Sequence, residues 1–324
     1  MVNTLTLAHG EDPDGIISHV FLESQEHIFA RYDRIGEAFQ QAADSDTEEI
    51  LVADINVNPS LISASGKDFG ILEKLAERRK IIWFDHHTGT LEHKAKLEEL
   101  GIKVNFDEKK CASLIVADYL SLKDHYLLKL AQIAQANDFK HTSKDYENIE
   151  IGNELEKIIS LANESMNEDL LLELTNYLRE GLVFNKRWKL RPSWNYYTGE
   201  FDRREKEAYK ELDESVSIVT LLESKQRALF GYSSSLLSAK PGAFHLREKY
   251  KDDADIFICL FKPPVRNHIA LINESSKFPI VPFVQGLGGG GRGTGGGFTL
   301  DYDITSENYE MVKGMLIEEL RKYG

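Results

Sequence analysis

The chain has 324 residues, of which 42% are hydrophobic and 28% charged, and its formal net charge is −14. That length allows two domains with a substantial core, and that composition is ordinary for a globular protein. Acidic residues number 53 against 39 basic ones with no dense basic run, which disfavours a protein gripping long nucleic acid by its backbone and favours a small anionic substrate.

The N-terminus, Met1-Val2-Asn3-Thr4, lacks the basic start and apolar stretch of a signal peptide. No apolar run approaches the roughly 18–20 residues that span a bilayer. A cytoplasmic, membrane-free protein is expected. Up to about residue 140, short β-like runs alternate with helical patterns. The strand candidates are residues 4–8, 50–55, 81–84 and 102–106, and helical spacing covers 16–30, 66–79, 91–100 and 111–122. Alternation of this kind predicts an α/β fold with a parallel sheet covered on both faces. Ligands of such sheets bind beyond the carboxyl ends of the strands, where His9, Asp54 and Asp85 fall on three separate strands.

Those strand ends carry the chemistry. The first runs into His9-Gly10-Glu11-Asp12-Pro13-Asp14-Gly15, the second into Asp54, and the third into Asp85-His86-His87-Thr88-Gly89. Asp138 comes after a further helical stretch, in Ala136-Asn137-Asp138. Taken singly, an Asp before a helix is usually a cap and a lone His usually structural. Four such clusters at successive element ends point instead to a metal site, and imidazoles mixed with carboxylates suit a divalent transition ion such as manganese. His19, His27, His93, His125 and His141 have no such setting and read as structural or solvent-facing. Cys111 and Cys259 lie far apart and outside any metal-ligand spacing, which fits free thiols in a reducing compartment.

Residues from about 126 to 225 look mainly helical, with good periods at 127–136, 155–163 and 169–185. From 226 the texture changes: 228–237, 255–261, 268–273 and 279–285 read as strands, and 308–323 as a closing helix. The expected organisation is therefore a catalytic domain at 1–145, a helical flank and connector at 146–225, and a smaller α/β domain at 226–324. Within the last lies the run Gly286-Leu287-Gly288-Gly289-Gly290-Gly291-Arg292-Gly293-Thr294-Gly295-Gly296-Gly297-Phe298. Composition alone reads it as a flexible linker. Its place between two strand-like segments favours a backbone-lined loop offering N–H groups to an anion. Lys262, Arg266 and His268 are weaker candidates for the same cleft. Trp188, Trp194, Tyr196 and Tyr197 could stack bases, although packing within a helical connector is the plainer use.

The Asp85-His86-His87 triplet, the opening His9–Asp12–Asp14–Gly15 pattern, the strand end at Asp54 and the later Asp138 together resemble the DHH phosphoesterase superfamily. That group holds RecJ-like single-strand exonucleases, nanoRNases, cyclic-dinucleotide phosphodiesterases, phosphoadenosine-phosphate phosphatases and manganese pyrophosphatases. The acids stand three and five residues after His9, a spacing unlike that of either the RecJ-type or the pyrophosphatase-type members. The glycine run resembles the Gly-Gly-His-x-x-Ala-Ala-Gly motif of the DHH-associated C-terminal domain, with Arg292 where His is usual and Gly295-Gly296-Gly297 in place of Ala-Ala-Gly.

The resemblance implies a hydrolase holding two Mn²⁺ ions, with Mg²⁺ as the alternative, that clamp a phosphoryl group and lower the pKa of a water between them. His9 and Asp12 would hold one ion and Asp14, His86 and Asp138 the other, with Asp54 bridging. His87 would serve the substrate phosphate or the leaving group, and Asp85 would orient a histidine from behind. Arg292, Gly289, Gly290, Gly291 and Thr294 would bind substrate, the arginine as a planar, bidentate phosphate partner. The implied substrate is a short oligonucleotide or small nucleotide. The alternatives are a RecJ-like exonuclease on single strands and a non-catalytic relative like the RecJ-like subunit of replicative helicases. A homodimer is compatible with the chain but not specified by it.

Overall fold

The computed structural model describes residues 2–57, 70–140, 142–221, 225–233, 239–261, 268–273, 278–292, 294–300 and 302–323. Two compact units divide it, Met1–Thr198 and Gly199–Gly324.

Five strands build the sheet of the first unit: β1 (Thr4–His9), β2 (Glu26–Ala30), β3 (Glu49–Ala53), β4 (Lys80–Asp85) and β5 (Lys103–Phe106). All pair in parallel, in the order β2-β1-β3-β4-β5. The described helices of this unit are α1 (Pro13–Leu22), α2 (Ile35–Asp44), α3 (Gly70–Ala76), α4 (Thr88–Glu99), α5 (Ala112–Tyr119), α6 (His125–Asp138), α7 (Tyr146–Glu164) and α8 (Glu168–Arg179). β4 shows why both faces must be covered. Ile81 and Trp83 enter one apolar cluster with Phe39, Leu72 and Leu97, while Ile82 and Phe84 enter another with Ile17, Ile133, Leu155 and Trp194. Side chains alternate faces along a strand, so a continuous apolar run can be satisfied only by helices on both sides.

Residues 16–30 are not one helix. Helix α1 stops at Leu22, Glu23 takes a left-handed conformation (φ +43°), and Glu26–Ala30 then pairs with β1, Leu7 opposite Ile28. The helical spacing through this stretch is broken by edge pairing, a tertiary effect.

In the second unit the helix α9 (Pro192–Glu214), which runs across the division, is followed by β6 (Ser217–Thr220), β7 (Arg227–Ser233), α10 (Ala239–Tyr250), β8 (Ile256–Phe261) and β9 (His268–Asn273). Then come α11 (Ile280–Gly286), β10 (Gly290–Arg292), β11 (Gly295–Thr299) and α12 (Tyr309–Tyr323). The six strands form a mixed sheet, β10-β11-β9-β8-β7-β6, with Phe283, Val312 and Leu316 packed in one cluster and Leu212, Leu246 and Phe257 in another.

Two expectations change here. The apolar stretch 279–285 is a helix rather than a strand; short apolar runs look alike in both states, and packing decides. The glycine run is a β-hairpin rather than an open loop, with Gly290 opposite Gly297 and Gly291 opposite Gly296. Glycine is required where α11 lies on it: a Cβ on Gly296 would sit 2.9 Å from Val284 Cγ2 and 3.2 Å from Ile280 Cγ2. Among the described residues no helix is long and apolar enough to cross a membrane.

Candidate metal centre

Strand register assembles the site. Ala8 stands opposite Ala53, and Ala53 opposite Phe84, so the next residues, His9, Asp54 and Asp85, emerge side by side from the carboxyl ends of β1, β3 and β4. The loop after β1 turns straight into α1. A Cβ on Gly15 would collide with the carbonyl oxygen of His9, so only glycine lets the helix start so close to the strand. Asp12 caps α1, its Oδ1 accepting from Gly15 N at 3.0 Å, while its Oδ2 lies 3.0 Å from His9 Nδ1. Capping and facing the site are thus two tasks of one side chain.

Asp54 stands at the middle. Its Oδ2 is 3.5 Å from His9 Nδ1 and its Oδ1 is 3.4 Å from His86 Nε2. Around His86, Asp138 Oδ2 lies at 3.6 Å and Asp14 Oδ2 at 4.0 Å. The backbone of Asp54 is left-handed (φ +57°), a conformation costing about 1 kcal/mol that persists because its N–H donates to Phe84 O at 3.0 Å and the residue is buried.

Electrostatics at the centre are frustrated. Burial, with Asp12 and Asp14 adding negative charge, pushes Asp54 up to about 7, and burial and Asp14 push Asp138 up to about 6. Burial works against a charged His86, yet Asp54, Asp14 and Asp138 outweigh it and raise the ring to about 9. His9 likewise rises despite its burial, driven by Asp12. Asp54 Oδ2 and His86 Nε2 are buried with no hydrogen-bond partner among the described residues. Such orphaned atoms are rare and costly. Among the described residues, two groups present ligand atoms within 4.8 Å of one another, His9–Asp12–Asp54 and Asp54–Asp85–His86–His87, with Asp54 common to both. This donor set fits divalent cations, which would relieve the crowded carboxylates and use the orphaned atoms.

His87 has a different setting. Its Nδ1 donates to Asp85 Oδ1 at 2.7 Å, and the ring is about one-third exposed at the start of α4. Asp85 is fully buried and braced from behind by Thr90 Oγ1. Burial opposes protonation of His87, but Asp85 overcomes it and holds the pKa up.

Asp14 is occupied more fully than its motif suggests. Its two oxygens accept from Ala112 N at 2.7 Å and Ser113 N at 2.8 Å, anchoring the start of α5. Asp138 is the last residue of α6 and remains partly exposed.

Two residues of the site escaped the sequence reading. Glu11 Oε2 lies 3.2 Å from His9 Nε2 and accepts from Tyr32 N at 3.2 Å, while the Tyr32 ring lies 4.8 Å from the His9 ring. A third acid in the same short loop was the available signal for Glu11. Tyr32 offered none, because it belongs to the segment after β2. The histidines read as lone include a pair: His19 Nδ1 and His27 Nδ1 are 3.1 Å apart.

The substrate-binding candidates Gly289, Gly290, Gly291, Arg292 and Thr294 belong to the second unit. Thr294 O accepts from Asn273 N at 2.8 Å. The Arg292 side chain, Lys262, Arg266 and His141 lie outside the described residues. Trp194 is buried in the core of the first unit, and Trp188 stacks on Tyr126 at 5.1 Å, so both serve packing.

No family model matches the chain, and no curated protein does. Solved structures do. A pGpG-specific phosphodiesterase, PggH from Vibrio cholerae, aligns at 14% identity over 99% of both chains with a TM-score of 0.54. A protein from Helicobacter pylori G27, described as uncharacterized, aligns at 17% identity over 99% of both chains with a TM-score of 0.42. RecJ from Thermus thermophilus, in complex with Mg²⁺, aligns at 12% identity over 99% of this chain and 50% of its own, with a TM-score of 0.45. The chain has the two-sheet α/β fold of the phosphodiesterase, in line with the DHH-type motifs of its sequence.

Proposed function

We propose that this protein is a divalent-metal-dependent phosphoesterase that hydrolyses short oligonucleotides or small nucleotides, with Mn²⁺ as its ion. The observation that carries this reading is Asp54, which turns one carboxylate oxygen to His9 and the other to His86. His9, Asp12 and Asp54 would hold one ion, and Asp54, Asp14, His86 and Asp138 a second. Bound there, such ions supply Lewis acidity at phosphoryl oxygens and an acidified water. The chain's own residues complete the chemistry. Asp85 fixes the His87 tautomer with its proton on Nδ1, and the opposite ring nitrogen, when protonated, can deliver a proton to the leaving-group oxygen of the ester. Arg292, with Gly289, Gly290, Gly291 and Thr294, would bind an anionic group of the substrate.

A short substrate is supported by the acidic charge balance and by the likeness in fold to a phosphodiesterase named for pGpG. The two cysteines, both free and buried, fit a reducing cytoplasm. The test is a panel of labelled DNA and RNA strands, from dinucleotides to about twenty nucleotides, incubated with the protein and Mn²⁺. Fastest turnover of the shortest strands, abolished by chelator and by Asp54→Ala, is expected. Preference for the longest strands would favour the RecJ-like exonuclease reading. No hydrolysis of any strand with Mn²⁺ or Mg²⁺ would leave a non-catalytic relative.

A further inference from the structure

A hollow opens beside the centre, lined by Asp12, Asp14, Asn137, Asp138, Lys140 and Glu156. Its empty volume of about 410 Å³ includes open solvent, so it is a surface hollow rather than an enclosed cavity. Three of its lining residues are candidate ion ligands, so whatever fills it sits next to the reacting ester. Lys140 is the one cation among the described lining residues, and it follows the last turn of α6 by two positions. Its Nζ is 3.0 Å from Glu156 Oε2, which also receives Asn137 Nδ2 at 3.4 Å. Both charged side chains are more than one-third exposed.

We propose that Lys140 and Glu156 form an exchangeable ion pair that marks a subsite for a second phosphate of the substrate, next to the one being cleaved. This deepens the phosphoesterase reading and rests on it. The physical reason is a mismatch in what the two partners need. An exposed Lys–Glu pair contributes little, because water screens it and both side chains lose freedom. A terminal phosphate carries roughly two negative charges and three acceptor oxygens, and so is a stronger partner for an ammonium than a single carboxylate. Glu156 keeps the Asn137 amide and water when Lys140 turns away, so the exchange strands no buried charge. The surrounding carboxylates would otherwise repel a substrate carrying two phosphates, and Lys140 is placed to offset them.

The experiment compares a dinucleotide with and without a terminal phosphate, placed at either its 5′ or 3′ end, using the full chain with Mn²⁺. The readout is the ratio of KM values for the two substrates. Lys140→Gln is expected to reduce the preference for the phosphorylated dinucleotide about tenfold, the scale of one hydrogen bond to a charged group. Glu156→Gln is expected to increase it, since the lysine then has no competing carboxylate. A lysine that serves only the end of α6 would alter thermal stability and leave this ratio alone. An unchanged ratio in Lys140→Gln, or a reduced preference in Glu156→Gln, overturns the proposal. Should wild type turn over neither dinucleotide, the short-oligonucleotide reading fails by itself. Calorimetric binding of the phosphorylated dinucleotide to wild type and Lys140→Gln then decides the subsite: about tenfold weaker binding supports it, and equal binding overturns it.

Discussion

His87 Nδ1 donates to Asp85 Oδ1 at 2.7 Å, and that bond divides the labour of the two adjacent histidines. His86 faces Asp54, Asp138 and Asp14, whereas His87 is tied to a buried carboxylate that fixes its tautomer. His87→Ala should keep most bound manganese and lose about 10²–10⁴-fold in kcat, the scale of a positioned proton-transfer group. His86→Ala should lose metal. Metal analysis beside steady-state kinetics checks both, and equal metal loss in the two variants would refute the division.

Glu11 holds the far nitrogen of His9, opposite the one that meets Asp12 and Asp54. Carboxylates in that position orient a ligand imidazole and raise its basicity. Glu11→Gln keeps the shape and removes the charge, so Mn²⁺ affinity should fall about 10–100-fold while the fold is retained. Titration of Mn²⁺ binding by calorimetry reads this directly. Wild-type affinity in the variant would mean that the Tyr32 contact is the whole of Glu11's role.

Arg292 contributes its backbone to β10, which ends the described order of the second sheet. If its guanidinium grips substrate phosphate, Arg292→Ala should raise KM about tenfold on a nucleotide substrate and leave manganese content unchanged. Lysine should rescue only in part, being a point charge rather than a planar fork. An Arg292→Ala protein with wild-type kcat/KM would reduce the glycine hairpin to a packing element beneath α11.

The His19–His27 pair makes stability fall in acid. Burial, with His27 and Arg179 nearby, holds His19 well below its ordinary 6.5, and burial and Arg179 hold His27 at about 4. Both folded pKa values are depressed, so the folded chain stays neutral where the unfolded chain takes up protons. The contribution is present in full above pH 6.5 and is lost as pH falls from there towards 4. Asp54, raised to about 7, acts in the opposite sense, so the comparison must be between variants. Urea unfolding of the chelated protein between pH 7.5 and 4.5 should show a shallower acid slope for His27→Asn than for wild type. Parallel slopes would show that the pair does not titrate with folding.

Local pattern was enough for the parallel sheet and for the three strand ends that carry the centre. Apolar runs that stop abruptly at His9, Asp54 and Asp85 are a local signal, and their meeting follows from strand geometry once the sheet is parallel. Nothing local distinguishes residues 26–30 or 280–286, where a few apolar residues suit strand or helix equally and only the neighbour decides. The same holds for the finer assignment of the site. Asp14 gives both oxygens to the backbone of residues 98 and 99 positions away, and Glu11 meets the N–H of Tyr32 across another strand. A carboxylate's partners in a folded chain are set by which loops close over it, and that closure is a property of the packed sheet and helices rather than of the residues beside it in sequence.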